Sequence, residues 1–322
     1  MPENIAIDLA REIKREVTPY LEKGPCTEVV GKGASGDMTF RVDLVAEEVV
    51  RKFISKRGTD LAYYSEEKGL IKSGLPKQIL IIDPIDGSRG AKIGFPSCVV
   101  SVGVAKYKET VKLKDIFIGC ILDLMDDLCF YAERGKGASV FDGEKELEVS
   151  FSKNRSLDSL CWSLEITGRP SKPIFDLLGE LVDRSSLAGG VFTLASTCYS
   201  ITRILRGQLD AFVDIGNRML KEFPHLRPEF LKAGKGAVVG LFPYDIAAVS
   251  LIAKEAGCII TDAYGRGLDD TLMTNSAEDN IQSLVAANSK ALHREIIDFI
   301  DLKFKELKKS ECYRGRVISE GK

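Results

Sequence analysis

Histidine is almost missing from this chain: His225 and His293 are the only two in 322 residues. That leaves little material for a Ser-His-Asp triad or a histidine-rich metal site, and shifts any expectation of catalysis onto carboxylates. No apolar run approaches the roughly 18 residues that a membrane-spanning helix needs. No positively charged leader followed by an apolar stretch opens the sequence, so the reading is a cytoplasmic protein that is neither exported nor inserted. An excess of one charge is also lacking, since 45 Lys and Arg face 47 Asp and Glu. Such a balance builds no field that gathers nucleic acid or anionic membrane, so neither is an expected partner. The eight cysteines, Cys26, Cys98, Cys120, Cys129, Cys161, Cys198, Cys258 and Cys312, include no C-x-x-C pair and lie mostly among apolar neighbours. Buried thiols fit that pattern better than zinc ligation or a disulfide framework.

What the chain does have is an acidic turn after an apolar run. Ile79-Leu-Ile-Ile82 reads as a strand covered on both faces, and Pro84 is expected to end it. Asp83 then stands at a strand end, and Asp86-Gly87-Ser88 follow in a tight turn whose glycine lets backbone approach a ligand. Both carboxylates can face one point, and hard oxygen donors at that spacing suit Mg²⁺. Taken alone, the stretch reads first as an ordinary solvated Asp-Gly turn.

Around it, Ile5, Leu9, Ile13, Val17 and Leu21 give one apolar helical face, with Gly24-Pro25 as its stop. Gly31 to Gly36 spells G-x-G-x-x-G, but Asp37 to Asp43 reads as extended and the next helix begins only near Leu44. A dinucleotide fingerprint needs the helix to open at the glycines, so a surface or phosphate-near loop, with Lys32 as a possible contact, is the better reading. Asp43 in that setting could also be a simple helix N-cap for Leu44 onward. Leu61 to Ser65 is a strand running into Glu66-Glu67. Ser97 to Val104 is another, Lys106 to Lys114 is an exposed connection, and Phe117 to Leu124 with Leu128 to Ala132 form a hairpin-like pair. The first half is therefore helices on a largely antiparallel sheet.

The chain turns polar over Ser150 to Asp158, which divides it into residues 1–154 and 155–322. Beyond it, Leu160 to Ile166, Val191 to Leu194, Leu209 to Ile215, Cys258 to Thr261 and Ser283 to Ala287 are strand candidates. Helices are expected over Pro173 to Asp183, from Ser196, from Asp245 to Ala256 and from Asn288 onward, with a frayed polar end. Ser196-Thr197 is a ready anion-binding helix start. Gly216 to Phe242 has no assignable pattern.

Asp37 to Asp43, Ser65-Glu66-Glu67, Asp83-Pro-Ile-Asp-Gly-Ser88 and Pro243-Tyr-Asp245-Ile-Ala-Ala together resemble the four ordered motifs of the inositol monophosphatase superfamily, over nearly the whole chain. Gly94-Phe-Pro96 and Phe130 to Gly137 look most like its archaeal-type inositol monophosphatase and fructose-1,6-bisphosphatase members. The resemblance implies an α+β fold, a layered α-β-α-β-α sandwich with a largely antiparallel first sheet and a mixed second one. It implies a homodimer and a Mg²⁺-dependent phosphatase of a small phosphorylated metabolite, with two to three ions per site. By position, Glu66, Asp83 and the Ile85 carbonyl would hold one ion and Asp83, Asp86 and Asp245 a second, while a third, weaker one would share Glu66. Ser88, bonded to Asp43, would help deprotonate the attacking water beside Glu66. Gly87 and Ser88 N–H groups would hold the phosphate, and Asp86, Asp214, Ser196 and Thr197 would meet substrate hydroxyls. Inositol 1-phosphate and fructose 1,6-bisphosphate head the expected substrates. The alternatives are 3′-phosphoadenosine 5′-phosphate or NADP, or binding of a phosphometabolite without turnover.

Three departures from the family pattern stand out. Serine replaces the more usual threonine at 88, Arg89-Gly90 replaces a pair that often ends in asparagine, and the segment 216–242 is longer than in short members. Arg89 is either a contact to a second phosphate or a solvated arginine.

Overall fold

The computed structural model describes residues 1–2, 4–23, 29–32, 38–58, 60–72 and 74–320, with backbone alone at 32, 38 and 311–320. Gly24-Pro25, Cys26, the Gly33–Asp37 loop and the side chains of Lys32 and Cys312 lie outside the described residues.

The chain forms the expected α+β sandwich. Its larger sheet has eight strands, in the order Lys145–Leu147, Ala138–Asp142, Leu128–Glu133, Ile116–Asp123, Val99–Lys106, Gln78–Asp86, Leu61–Ser65 and Gly69–Lys72. Every neighbouring pair is antiparallel except Leu61–Ser65 beside Gln78–Asp86. The smaller sheet has five strands, in the order Gly190–Phe192, Cys161–Leu164, Ala211–Asp214, Leu284–Ala287 and Ile259–Thr261. Its first two pairs are parallel and its last two antiparallel.

Helices Ile5–Leu21 and Arg41–Lys56 cover one face of the large sheet with Leu9, Ile13, Val50 and Phe53. Helices Thr197–Leu205 and Pro243–Ala256 fill the space between the sheets, and Ser171–Ser185 with Lys290–Glu320 cover the far face of the small one. One apolar cluster runs from Ile79 and Phe130 through Ile246 and Val249 to Phe212 and Ile296. Helix Pro243–Ala256 is apolar all round for that reason: sheet residues meet it from both sides. The large sheet accepts it closely because glycines stand beneath it. A Cβ at Gly119 would lie 2.8 Å from the Ala248 carbonyl oxygen, and one at Gly103 3.1 Å from the Ala247 Cβ.

Four local expectations change. The connection Lys106 to Lys114 is not wholly exposed: Val111 and Leu113 are buried, and Lys112 bridges Leu272, so alternate residues face inward. The second helix starts at Arg41 rather than Leu44, because the cap comes from within the first turn, as described below. The unassigned segment contains helices Gly216–Glu222 and Arg227–Ala233 joined by a single turn at Pro224–Leu226, each too short to show a period. The polar tail stays helical through Glu320, since no proline interrupts it. Cys98, Cys120, Cys129, Cys198 and Cys258 are buried free thiols, while Cys161 is half-buried and free. Among the described residues no helix is long and apolar enough to cross a membrane.

Under the second helix lies a buried acid. Glu47 Oε1 accepts the hydroxyls of Ser65 at 3.1 Å and Tyr63 at 3.3 Å, and its Oε2 has no hydrogen-bond partner. Burial pushes its carboxyl up from 4.5 to about 7, and nearby Glu67 adds to the rise against the two hydroxyls. A folded value above the unfolded one means that this group supports folding fully below about pH 4.5, and that the support is lost as pH rises to about 7. Glu47→Gln should therefore gain on the native protein by up to about 3 kcal/mol between about pH 5 and pH 8. Denaturant midpoints measured across that range test it, and a pH-independent difference refutes the reading. In the same assay Gly119→Val should cost about 1–3 kcal/mol by pushing on the central helix. Gly179→Ala, in a helix where a Cβ meets nothing within 4 Å, should instead add about 1 kcal/mol.

Candidate active site

The acidic turn is built on a fault in the sheet. Asp83 pairs with Ser101 and Asp86 with Val99, so three steps on this strand match two on its neighbour. In a regular strand residues three apart point to opposite faces. The one extra residue returns Asp86 to the side of Asp83. Pro84, with no N–H to give, sits inside the bulge where the ladder is interrupted, so the strand runs on to Asp86 instead of ending at the proline. Gly87 then turns the chain with φ 97°. A Cβ there would stand 2.1 Å from the Ser97 carbonyl oxygen and 3.0 Å from the Ser196 Cβ, so both conformation and space require glycine. The single helical turn Ser88–Ala91 follows.

A backbone N–H holds one oxygen of each of four carboxylates. Asp43 occupies the third position of its helix, and its Oδ2 reaches back to the Phe40 N–H at 2.6 Å, so it caps from inside the first turn. Its Oδ1 accepts the Ser88 hydroxyl at 2.7 Å, and the Ile85 carbonyl lies 2.9 Å from the same hydroxyl. Asp245 repeats the device, third in its helix, with Oδ2 accepting the Phe242 N–H at 2.6 Å. Asp83 Oδ1 accepts the Ile85 N–H at 3.0 Å. Asp86 Oδ2 accepts the Cys198 N–H at 2.6 Å, in the first turn of the helix that Ser196 caps through Tyr199 N–H. That helix start is indeed an anion site, and the anion is a carboxylate of this chain.

Three of these acids converge. Asp83, Asp86 and Asp245 each offer an oxygen within 4.8 Å of the others. Burial, and then the charges of Asp86 and Asp245, push the Asp83 carboxyl well above its usual range. Burial also raises Asp86 to about 6, against the pull of the Cys198 N–H and the Ser196 hydroxyl. Three acids so close and so enclosed stay ionised together only beside positive charge, and their all-oxygen donor set fits a hard divalent cation.

A narrow cleft of about 60 Å³ opens at this point. Glu66, Asp83, Ile85, Asp86, Gly87, Ser88, Ser196, Thr197 and Asp245 line it, with Glu66 outside the close triad. Asp43 stands behind the wall through Ser88. Asp214 is fully buried and not on the wall: Arg169 Nε contacts its Oδ1 at 3.3 Å, Arg169 Nη2 pairs with Oδ2, and the Gly216 N–H donates at 2.7 Å. Arg89 is half-buried on the rim.

Three polar wall residues escaped the sequence reading: Glu165, Thr167 and Arg169. Glu165 accepts the Thr167 N–H at 2.7 Å, and Arg169 Nη1 lies 3.8 Å from Glu165. A local signal was available, since Glu165 directly follows the strand Cys161–Leu164 and has a cation four residues on.

The inositol monophosphatase family profile matches residues 3–300. A fructose-1,6-bisphosphatase/inositol-1-monophosphatase of Methanocaldococcus jannaschii is 29% identical over 299 residues, covering 92% of this chain and 99% of that one. A bifunctional NADP phosphatase/NAD kinase of Methanococcus maripaludis is 27% identical over 305 residues, which is 91% of this chain but 48% of that protein. Among solved structures, an inositol monophosphatase-fructose 1,6-bisphosphatase superposes with a TM-score of 0.67 at 25% identity, covering 91% of this chain and 97% of that one. With the ordered acidic motifs, the sandwich and the profile agreeing over nearly its full length, this chain belongs to the inositol monophosphatase family.

Proposed function

We propose that this phosphoric monoester hydrolase releases phosphate from a small phosphorylated metabolite, with inositol 1-phosphate and fructose 1,6-bisphosphate first among candidates, and that it requires Mg²⁺. The observation that carries the reading is the joining of a three-carboxylate cluster, two of its acids buried and Asp245 half-buried, to a carboxylate-held serine on one wall. A phosphate monoester dianion repels a nucleophile, so the chemistry calls for cations. Asp83, Asp86 and Asp245 would hold one, and Asp83, Glu66 and the Ile85 carbonyl another, with a weaker third at Glu66. Once bound, such ions neutralise phosphate oxygens and lower the pKa of water.

The chain's own groups do the rest. Ser88 can relay a proton: as its hydroxyl hands its own proton to Asp43 Oδ1, its oxygen takes one from the attacking water. Glu66 lies on the same wall to share that task. Gly87 and Ser88 N–H groups hold the phosphate, while Ser196 and Thr197 stand where substrate hydroxyls would reach. Asp214 acts through Arg169, which it orients on the wall. We read residues 1–154 as the unit that supplies most of these groups and 155–322 as the one that closes the site through Asp245. The chain is expected to act as a cytoplasmic homodimer, and a monomeric mass in solution scattering overturns the dimer.

Phosphate release from both candidate substrates should vanish with chelator and return with Mg²⁺. Asp83→Asn should lose at least about a thousandfold in kcat, and full activity in that variant overturns the ligand assignment. Ser88→Ala should lose about a hundredfold or more, whereas Ser88→Thr, which keeps the hydroxyl, should stay within about threefold of native. Equal losses in the two serine variants refute the role given to the hydroxyl.

A further inference from the structure

Glu66 reaches the cleft wall through the register of two strands. Leu61–Ser65 and Gln78–Asp86 run parallel with Ser65 opposite Ile82, so the next residue is Glu66 on one and Asp83 on the other. The chain then reverses, because Ser65 also faces Gly69 on the antiparallel edge strand Gly69–Lys72, and Glu66, Glu67 and Lys68 form the turn between them. Gly69 closes that hairpin with φ 63°, a conformation that suits glycine. Two adjacent acids thus stand at one hairpin tip, beside Asp83. Of the two, Glu66 lines the cleft and Glu67 is not among its lining residues.

Three hydrogen bonds set this tip against helix Arg41–Lys56 and the strand before it. Thr39, in that strand, donates its hydroxyl to Glu67 Oε2 at 2.7 Å, which gives the Glu67 carboxylate a partner off the cleft wall. Ser65 donates its hydroxyl to Glu47 Oε1 at 3.1 Å, and the same hydroxyl oxygen accepts the Lys68 N–H at 3.3 Å. A side-chain oxygen that takes the N–H three residues on fastens a turn from within. A hydroxyl has one proton, so sending it to Glu47 leaves the oxygen's lone pairs for Lys68. Glu47 thereby orients the group that closes the turn. Ser65 is fully buried and Glu47 is 3% exposed, so water does not compete for the bond between them. Glu47 also follows Asp43 by four residues, which places both on one helix face. The helix therefore touches the chemistry twice, at Ser88 through Asp43 and at the Glu66 turn through Glu47.

We propose that Glu47 is a positioning residue for the cation site: acting through the Ser65 hydroxyl, it holds the hairpin turn in the shape that presents Glu66, rather than Glu67, beside Asp83. The inference rests on the phosphatase reading above, which gives Glu66 to a cation. Asp83, Asp86 and Asp245 take their anchors from a central strand and two helix starts, whereas Glu66 stands in a short turn at the edge of the sheet. An edge turn can take several shapes, and a ligand serves a cation only when held within roughly 0.5 Å of its productive place. Glu47 supplies that constraint from the core. Its own carboxylate lies outside the three-acid cluster, so it acts without touching the cation.

Calorimetric titration of Mg²⁺ into the protein without substrate reads the cation site, and phosphate release from inositol 1-phosphate and fructose 1,6-bisphosphate reads the chemistry. Groups that hold a metal ligand in place are worth about tenfold or more in affinity, so Ser65→Ala and Glu47→Met should each weaken the binding of at least one Mg²⁺ by about that factor. The Mg²⁺ needed for half-maximal phosphate release should rise in proportion. Glu47→Gln, whose amide oxygen still accepts the Ser65 hydroxyl, should bind Mg²⁺ within about twofold of native. Tyr63→Phe takes the other hydroxyl from Glu47 without touching the turn, and should do the same. Circular dichroism confines the comparison to folded protein. Should Glu47→Met fail to fold, Ser65→Ala, which removes a single oxygen, decides. Unchanged binding of every Mg²⁺ in folded Ser65→Ala, or an equal loss in Tyr63→Phe, overturns the role of Glu47. Native protein that binds Mg²⁺ yet releases phosphate from neither substrate overturns the phosphatase reading and leaves Glu47 to be decided by the calorimetry. Native protein that binds no Mg²⁺ overturns both.

Discussion

Mutual repulsion among Asp83, Asp86 and Asp245 is the constraint on which the rest of the structure depends. Three carboxylates brought within 4.8 Å would separate unless something held each one in place. The fold does so with backbone N–H groups: Ile85 for Asp83, Cys198 for Asp86 and Phe242 for Asp245. Two of these donors lie at helix starts, where the dipole also favours negative charge. Each acid therefore has an oxygen fixed by a backbone N–H, and each brings an oxygen to the shared point. The bulge, the φ of Gly87 and the glycine-lined seat of the central helix all serve that convergence.

Asp43 and Asp245 solve the same local problem in the same way. Each is third in its helix, each follows a phenylalanine by three residues, and each turns one oxygen back to that phenylalanine's N–H. A side chain that caps its own helix cannot swing freely, so its second oxygen is aimed without help from distant contacts. This explains why acids far apart in sequence can act with angstrom precision. It also ties the catalytic geometry to helix ends rather than to loops.

Much of this was legible in the sequence, and the parts that were not have identifiable causes. Long amphipathic and apolar runs, such as Ile5 to Leu21 or Ile79 to Ile82, announce their structure because period and burial agree. Pro84 misled, because a proline marks the end of a strand unless a bulge absorbs it, and a bulge depends on the neighbouring strand. Helices of seven residues such as Gly216–Glu222 carry no period to detect. Glu165 and Arg169 could be read as an acid with a cation four residues on, but their place on the wall could not. It depends on the small sheet's register bringing Glu165 beside Val213, through the Glu165 N–H to the Val213 carbonyl, a contact between distant chain positions. Asp214, read as a contact for substrate, shows the converse, since its position was plain and its partner was not.

The seat of helix Pro243–Ala256 between two sheets has a consequence for how the molecule comes into being. Asp43, Glu66, Asp83, Asp86 and Ser88 are all made within the first 88 residues, but Asp245 follows 157 residues later, at 245 minus 88. Synthesis is N-terminal first, and the large sheet can pair its hairpins while the rest of the chain is still being made. Such a nascent sheet exposes the apolar face over Gly103 and Gly119 until the helix arrives to cover it. The third acid of the cluster and the cover for that face therefore arrive as one element. A chain that stops before it lacks the third acid of the cluster and leaves that apolar face of the large sheet uncovered.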